Sequence, residues 1–213
     1  GNVQQAVLKA LSDAGGRANL RIHSGLVTDP VVGLIDAGRV MDVPGAILTG
    51  VAMGTGGLYE QAGRDRRFRF RAVDVTHGID VLAAIDRFVA INSVLEVDLF
   101  GQANAEFMNG RQVSGIGGLA NFLRGAAASN GGMPIVALPS TAARGTVSRI
   151  VARLGPEAVS VPRSDIAWVV TEHGAVDLRG ADIDTRAERL ISIADPGYRD
   201  DLAAAWSEMR TAL

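Results

Sequence analysis

The groups best placed to do chemistry in this chain are its three histidines, a few carboxylates after apolar runs, and two small loops rich in glycine and hydroxyls. His77 follows a strand-like run in Val75-Thr76-His77-Gly78, where a neutral imidazole can serve as a general base or cap the next helix. Glu172, in Thr171-Glu172-His173-Gly174, also sits just past an apolar strand, as a general base or as part of a hydrogen-bonded turn. Gly115-Ile116-Gly117-Gly118 runs from a strand into a helix. Glycine allows close backbone approach, and a helix start adds partial positive charge. The run therefore reads equally as an oxyanion or phosphate site and as a tight turn, and its spacing is not the dinucleotide fingerprint. Ser140-Thr141-Ala142-Ala143-Arg144-Gly145-Thr146 leaves a buried strand as a small polar loop, the position where α/β sheets bind ligands. The same composition also suits a plain connection. Arg144 is the loop's candidate phosphate contact, since a guanidinium pairs well with phosphate.

Several chemistries are excluded or disfavoured. With no cysteine among 213 residues there is no thiolate nucleophile, disulfide or thiolate zinc site. His23, His77 and His173 lack the paired spacing of metal ligands, so no metal is expected. A net charge of −2 gives no overall field for nucleic acid or an anionic membrane. Arg64, Arg66, Arg67, Arg69 and Arg71 interleave with Phe68 and Phe70, which suits a strand with phenylalanines inward better than a single-strand platform. No apolar run reaches the ~18 residues of a membrane span and no signal pattern opens the chain, so a soluble cytoplasmic protein is expected. The start at Gly1, without Met, suggests an excised domain or a tag remnant.

These groups must be positioned by alternating apolar runs and helical stretches, the signature of an α/β layer fold. Helical spacing covers 3–14, stopped by Gly15-Gly16, and strands are predicted at 20–26, 46–52 and 68–74. Asp29-Pro30 predicts a short helix to Ala37, with Asp29 as its cap and Pro30 at its first position. The region 88–99 is strand-rich, and Asn109-Gly110 predicts a hairpin between 103–108 and 111–113. A helix at 117–129, strands at 134–138, 147–152 and 167–170, and amphipathic helices at 182–194 and 198–210 complete the chain. One domain over 1–213, a mixed sheet flanked by helices, is the expectation.

Four blocks in order carry a resemblance over most of the chain. They are Ala90-Ile91-Asn92-Ser93; Ser114-Gly115-Ile116-Gly117-Gly118; Leu138-Pro139-Ser140-Thr141-Ala142 with Gly145-Thr146-Val147-Ser148-Arg149; and Thr171-Glu172-His173-Gly174-Ala175-Val176-Asp177-Leu178-Arg179-Gly180 with Arg186-Ala187-Glu188. The chain thereby resembles the C-terminal half of acetyl-CoA hydrolases and 4-hydroxybutyrate CoA-transferases. The resemblance implies an α/β domain of the CoA-transferase, ribose-5-phosphate-isomerase-like superfamily. It also implies coenzyme A and short-chain acyl-CoA as substrates rather than bound cofactors, a small carboxylate acceptor, and an N-terminal domain or partner chain. In that family a glutamate attacks the thioester, and a glycine-loop amide, matching Gly118, holds the oxyanion. A position often occupied by Asn matches His77, and the residues matching 115–118 with Ser140, Ala142, Arg144 and Thr146 line the CoA thioester end.

The departure is at the nucleophile. Where the family has His-Ser/Thr-Glu, this chain has His23-Ser24-Gly25, and no Glu lies within five residues. The nearest carboxylate, Asp29, reads as a helix cap. Three readings follow: a hydrolase in which His77 or Glu172 activates water in the space left at Gly25; a transferase whose glutamate comes from another domain or chain; and a non-catalytic acyl-CoA-binding module. The loss counts against turnover by this chain alone. The acyl group and oligomeric state, including a homo-oligomer, are left open.

Overall fold

The computed structural model describes residues 2–13 and 19–212, and the chain separates after Leu82 into two compact units. The first contains α1 (Asn2–Asp13), β1 (Ile22–Val27), α2 (Pro30–Asp36), β2 (Ile47–Ala52), α3 (Gly56–Arg64), β3 (Phe68–Phe70) and α4 (Val73–Thr76), with α5 (Ile79–Ala83) at the division. Its sheet has the order β1-β2-β3 and is parallel throughout, with Ile22 opposite Ile47 and Ile47 opposite Phe68. Parallel neighbours need crossovers, and α2 and α3 provide them. Val27, Val31, Leu34, Val40, Ile47, Leu58 and Phe68 form the core beneath. The predicted Gly15-Gly16 stop lies outside the described residues.

Two local expectations are corrected here. Pro30 does open α2, but the Asp29 side chain makes no cap bond to that helix. Its carboxylate instead accepts from the amide and hydroxyl of Thr55, the residue that precedes α3 (3.0 and 2.7 Å). The strand predicted over 68–74 stops at Phe70. Phe68 is 4% exposed, whereas Phe70, past the edge of the core, is 46% exposed. The amide of Arg71 makes a last bond to the Thr49 carbonyl before the chain turns into α4.

The second unit runs through β4 (Val89–Ser93), β5 (Glu96–Asp98), β6 (Ala103–Asn104), β7 (Phe107–Met108), β8 (Arg111–Gln112), α6 (Leu119–Ala128) and β9 (Met133–Ala137). It continues with β10 (Thr141–Ala142), β11 (Val147–Ser148), β12 (Ile150–Val151), β13 (Trp168–Thr171), β14 (Gly174–Asp177), α7 (Ile183–Ser192) and α8 (Arg199–Arg210). Its main sheet has the order β14-β13-β9-β4. The strands β4, β9 and β13 are parallel, and β14 folds back antiparallel on β13. Asn109 and Gly110 both have positive φ (51° and 71°), as a two-residue hairpin turn requires, and they join β7 to β8. The predicted strand 147–152 splits at Arg149, because β11 pairs with β10 while β12 pairs with β5. Leu123, Val136, Ile150, Val169, Leu178 and Leu190 fill the core between the sheet and helices α6 and α7. Asp182 caps α7, accepting from the Thr185 amide at 2.8 Å.

Candidate functional site

Two clusters of candidate residues form, one within each unit. In the first, β1 carries His23 and Gly25, and the turn after α4 carries His77. His77 lies at the C-terminal end of α4, its amide bonded to the Val73 carbonyl, so it ends one helix rather than capping the next. Thr76, 1% exposed, connects the two imidazoles. Its carbonyl lies 3.1 Å from His23 Nε2, which must therefore be the donor, and its hydroxyl lies 2.8 Å from His77 Nδ1. The Thr76 hydroxyl also donates to the Ala72 carbonyl at 3.3 Å. Burial lowers the pKa of His23, against the raising effect of carbonyls at Thr76 and Val75, and nearby His77 adds to the lowering. Burial thus favours the neutral form of His23, with Nε2–H as the donor to Thr76.

Gly25 packs directly against His77. A Cβ built on Gly25 would lie 2.6 Å from His77 Cε1 and 2.7 Å from Nε2, closer than real Cβ contacts allow. The expected water-sized space beside Gly25 is corrected on this point: the edge of the imidazole occupies it. Gly25 does not have a positive φ, so its backbone would accept another residue.

In the second unit, adjacent parallel strands β9 and β13 end side by side, and the segments leaving them bring Ser140 and Glu172 together. The Ser140 amide donates to Glu172 Oε2 at 2.8 Å, and its hydroxyl donates to Oε1 at 2.7 Å. Partial burial pushes the Glu172 pKa up. Hydrogen bonds from its own amide and from the hydroxyl and amide of Ser140, with His173 nearby, outweigh it and hold the carboxyl below its ordinary value. A carboxylate with both oxygens engaged and a lowered pKa is a weak base and a strong tether. Beyond Ser140 the chain forms a β10–β11 hairpin whose turn holds Ala143, Arg144 and Gly145 all at positive φ (49°, 58° and 88°). Thr146 Oγ1 closes the turn on the Ala143 carbonyl at 2.8 Å, and the Tyr198 hydroxyl donates to the Gly145 carbonyl at 2.9 Å. Ala142 pairs with Val147 in this hairpin, and the Arg144 residue is exposed.

The glycine run lies just before α6. Gly115, Ile116 and Gly117 are exposed, Gly117 has φ +56°, and Gly118 is the N-cap of the ten-residue helix. A cavity of about 290 Å³ sits at the other end of the strands, lined by Pro134, Ala167 and Arg186. Sequence reasoning missed Thr76 and Tyr198. Thr76 carried a usable signal, since a hydroxyl next to a candidate histidine can fix its tautomer. Tyr198 carried none, being 53 residues from its partner.

Residues 54–206 match the model of the acetyl-CoA hydrolase/transferase C-terminal domain. The chain belongs to this family. The 4-hydroxybutyrate coenzyme A transferase of Clostridium kluyveri is 38% identical to it over 95% of this chain and 48% of that protein. The crystal structure of RipA from Yersinia pestis superposes with a TM-score of 0.88 at 40% identity, covering 97% of this chain and 47% of RipA. The 4-hydroxybutyrate CoA-transferase of Porphyromonas gingivalis gives a TM-score of 0.81 at 36% identity, covering all of this chain and 50% of the other. The mixed α/β fold is therefore that of CoA-transferase domains. As a member of the acetyl-CoA hydrolase/transferase family, the chain spans about half the length of the curated relatives it matches. Among the described residues no helix is long and apolar enough to cross a membrane.

Proposed function

We propose that this chain is the thioester-handling part of a cytoplasmic enzyme of short-chain acid metabolism. Gly25 stands at the nucleophile position, so the enzyme acts as an acyl-CoA hydrolase with His77 as general base. The observation that carries this reading is the imidazole of His77 seated against Gly25. With the Thr76 hydroxyl donating to Ala72, Nδ1–H of His77 donates to Thr76 Oγ1, which puts the basic lone pair of the neutral ring on Nε2. Nε2 removes a proton from water as the water oxygen bonds to the thioester carbonyl carbon. The C–S bond then breaks, CoA thiolate takes up a proton, and a carboxylic acid is released. A glycine has no group to carry an acyl chain, so no acyl-enzyme forms at position 25.

In the second unit we propose that the Gly118 amide is an oxyanion donor. Residues 115–118 and Ser140, Ala142, Arg144 and Thr146 are proposed to contact coenzyme A, with Glu172 positioning Ser140 rather than acting on water. Residues 1–213 are read as one functional domain containing both compact units. The test uses the full-length natural protein with acetyl-, propionyl- and butyryl-CoA, with and without acetate or succinate. Thiol release that ignores the acceptor and is lost in His77→Asn is the expected result. Exchange that requires the acceptor points instead to a glutamate supplied by another domain or chain and refutes the hydrolase. A non-catalytic acyl-CoA-binding module is the second reading, favoured by a glycine at position 25 that has no side chain to acylate. It requires CoA binding without turnover, and Arg144→Ala should then weaken that binding in calorimetry.

A further inference from the structure

We infer that residues 25 and 77 form a mutually exclusive pair: the imidazole of His77 bars any side chain from position 25, so the character of this site is set by two residues together. The inference rests on the hydrolase reading only for what the pair does chemically. Its steric part stands on three observations within one unit. The Gly25 Cβ direction points into the edge of the His77 ring, at 2.6 and 2.7 Å from two ring atoms. The ring is not free to swing aside without cost, since Nδ1 is engaged with the Thr76 hydroxyl at 2.8 Å and Thr76 is itself buried. The backbone at Gly25 has no positive φ and sits in a six-residue strand, so nothing in the main chain calls for glycine. A glycine within a strand is ordinarily a weak choice, and replacing it normally favours the fold. Here the requirement comes from the neighbouring side chain alone.

This predicts a reversal of sign. Gly25→Ala should lower the thermal midpoint by several degrees, about 3–8 °C, because one ring must shift out of a packed position. In a His77→Ala background the same substitution should leave the midpoint unchanged or raise it by a degree or two. Gly25→Glu should follow the same pattern, tolerated with His77→Asn and not with His77. Imidazole nitrogen chemical shifts give a second readout: Gly25→Ala should perturb Nδ1 of His77 by disrupting its bond to Thr76. A folding failure in Gly25→Ala that His77→Ala restores supports the pair, and one that it does not restore overturns it. Equal midpoint shifts in both backgrounds, with unchanged His77 resonances, overturn it as well. Thiol release from acetyl-CoA, measured on the full-length protein, separates the two ideas. Coupling without any release removes the base and leaves the pair standing.

Discussion

Removing the charge from the Ser140–Glu172 clamp tests how the loop over residues 140–146 is held. In Glu172→Gln the amide oxygen still accepts from the Ser140 amide and the NH2 group donates to the Ser140 hydroxyl, so the two contacts, at 2.8 and 2.7 Å, persist but lose their charged acceptor. Bonds to a charged acceptor contribute about 1.5–3 kcal/mol, and the partial exposure of the residue reduces this to about 1 kcal/mol. Local opening of the loop should then be about 5-fold more populated. Amide hydrogen exchange at Ser140 reads this directly as an equal gain in rate, after correction for intrinsic exchange. The pH dependence supplies a sign. The folded-state pKa of Glu172 is lowered, so its stabilisation is complete above the ordinary value of 4.5 and is lost as pH falls through the lower folded value. Wild-type protection should fall in that acid window, and Glu172→Gln should show no such dependence. Equal protection of Ser140 in the two proteins at neutral pH would refute the clamp.

Asp65 accepts from the Arg67 side chain and amide and from Gln61, and this lowers its pKa from 3.8 to about 2, chiefly through Arg67. The stability it adds, on the order of 2 kcal/mol, is present above 3.8 and lost as pH falls toward 2. Asp65→Asn should flatten that acid limb in urea titrations. Ala143 has φ +49° without being glycine, so Ala143→Gly should relieve strain and raise stability by up to about 1 kcal/mol, seen as a higher urea midpoint. Leu123 is fully buried in the second unit's core, and Leu123→Ala should cost about 2–5 kcal/mol in the same measurement.

Much of the architecture was legible because each element carries its own signal. Pro30 opens α2 and Asn109-Gly110 turns a hairpin, both through interactions within three or four residues. Spacing failed where a distant partner decided the outcome. Asp29 looked like the cap of its own helix, yet the Thr55 amide and hydroxyl 26 residues on bind its carboxylate. The run after Phe68 alternated as a strand should, but the sheet edge and the core both end at Phe70. For the site, Ser140 and Glu172 could be named from residue type and strand-end position, whereas His77, read as following a strand, ends a helix and was legible by residue type alone. Their pairing could not be read, because the Ser140–Glu172 contact spans 32 residues and the Gly25–His77 contact spans two separate elements.

The packing at Gly25 bears on what the absence of a glutamate there means. A side chain that is merely lost from an interior position leaves unfilled volume, and such a cavity costs stability in proportion to its size. At Gly25 the His77 ring sits where the Cβ would be, oriented by a buried threonine. Gly54 in the same unit follows this logic, since a Cβ there would meet the Asp29 carboxylate that holds Thr55. Both glycines make room for a polar side chain that is itself hydrogen-bonded in place. On the proposed alignment, position 25 is therefore better described as an exchange than as a deletion. On the proposed reading, a carboxylate able to bond covalently to an acyl group gives way to an imidazole able to accept a proton, and proton transfer from water to that imidazole is the chemistry such an exchange leaves available.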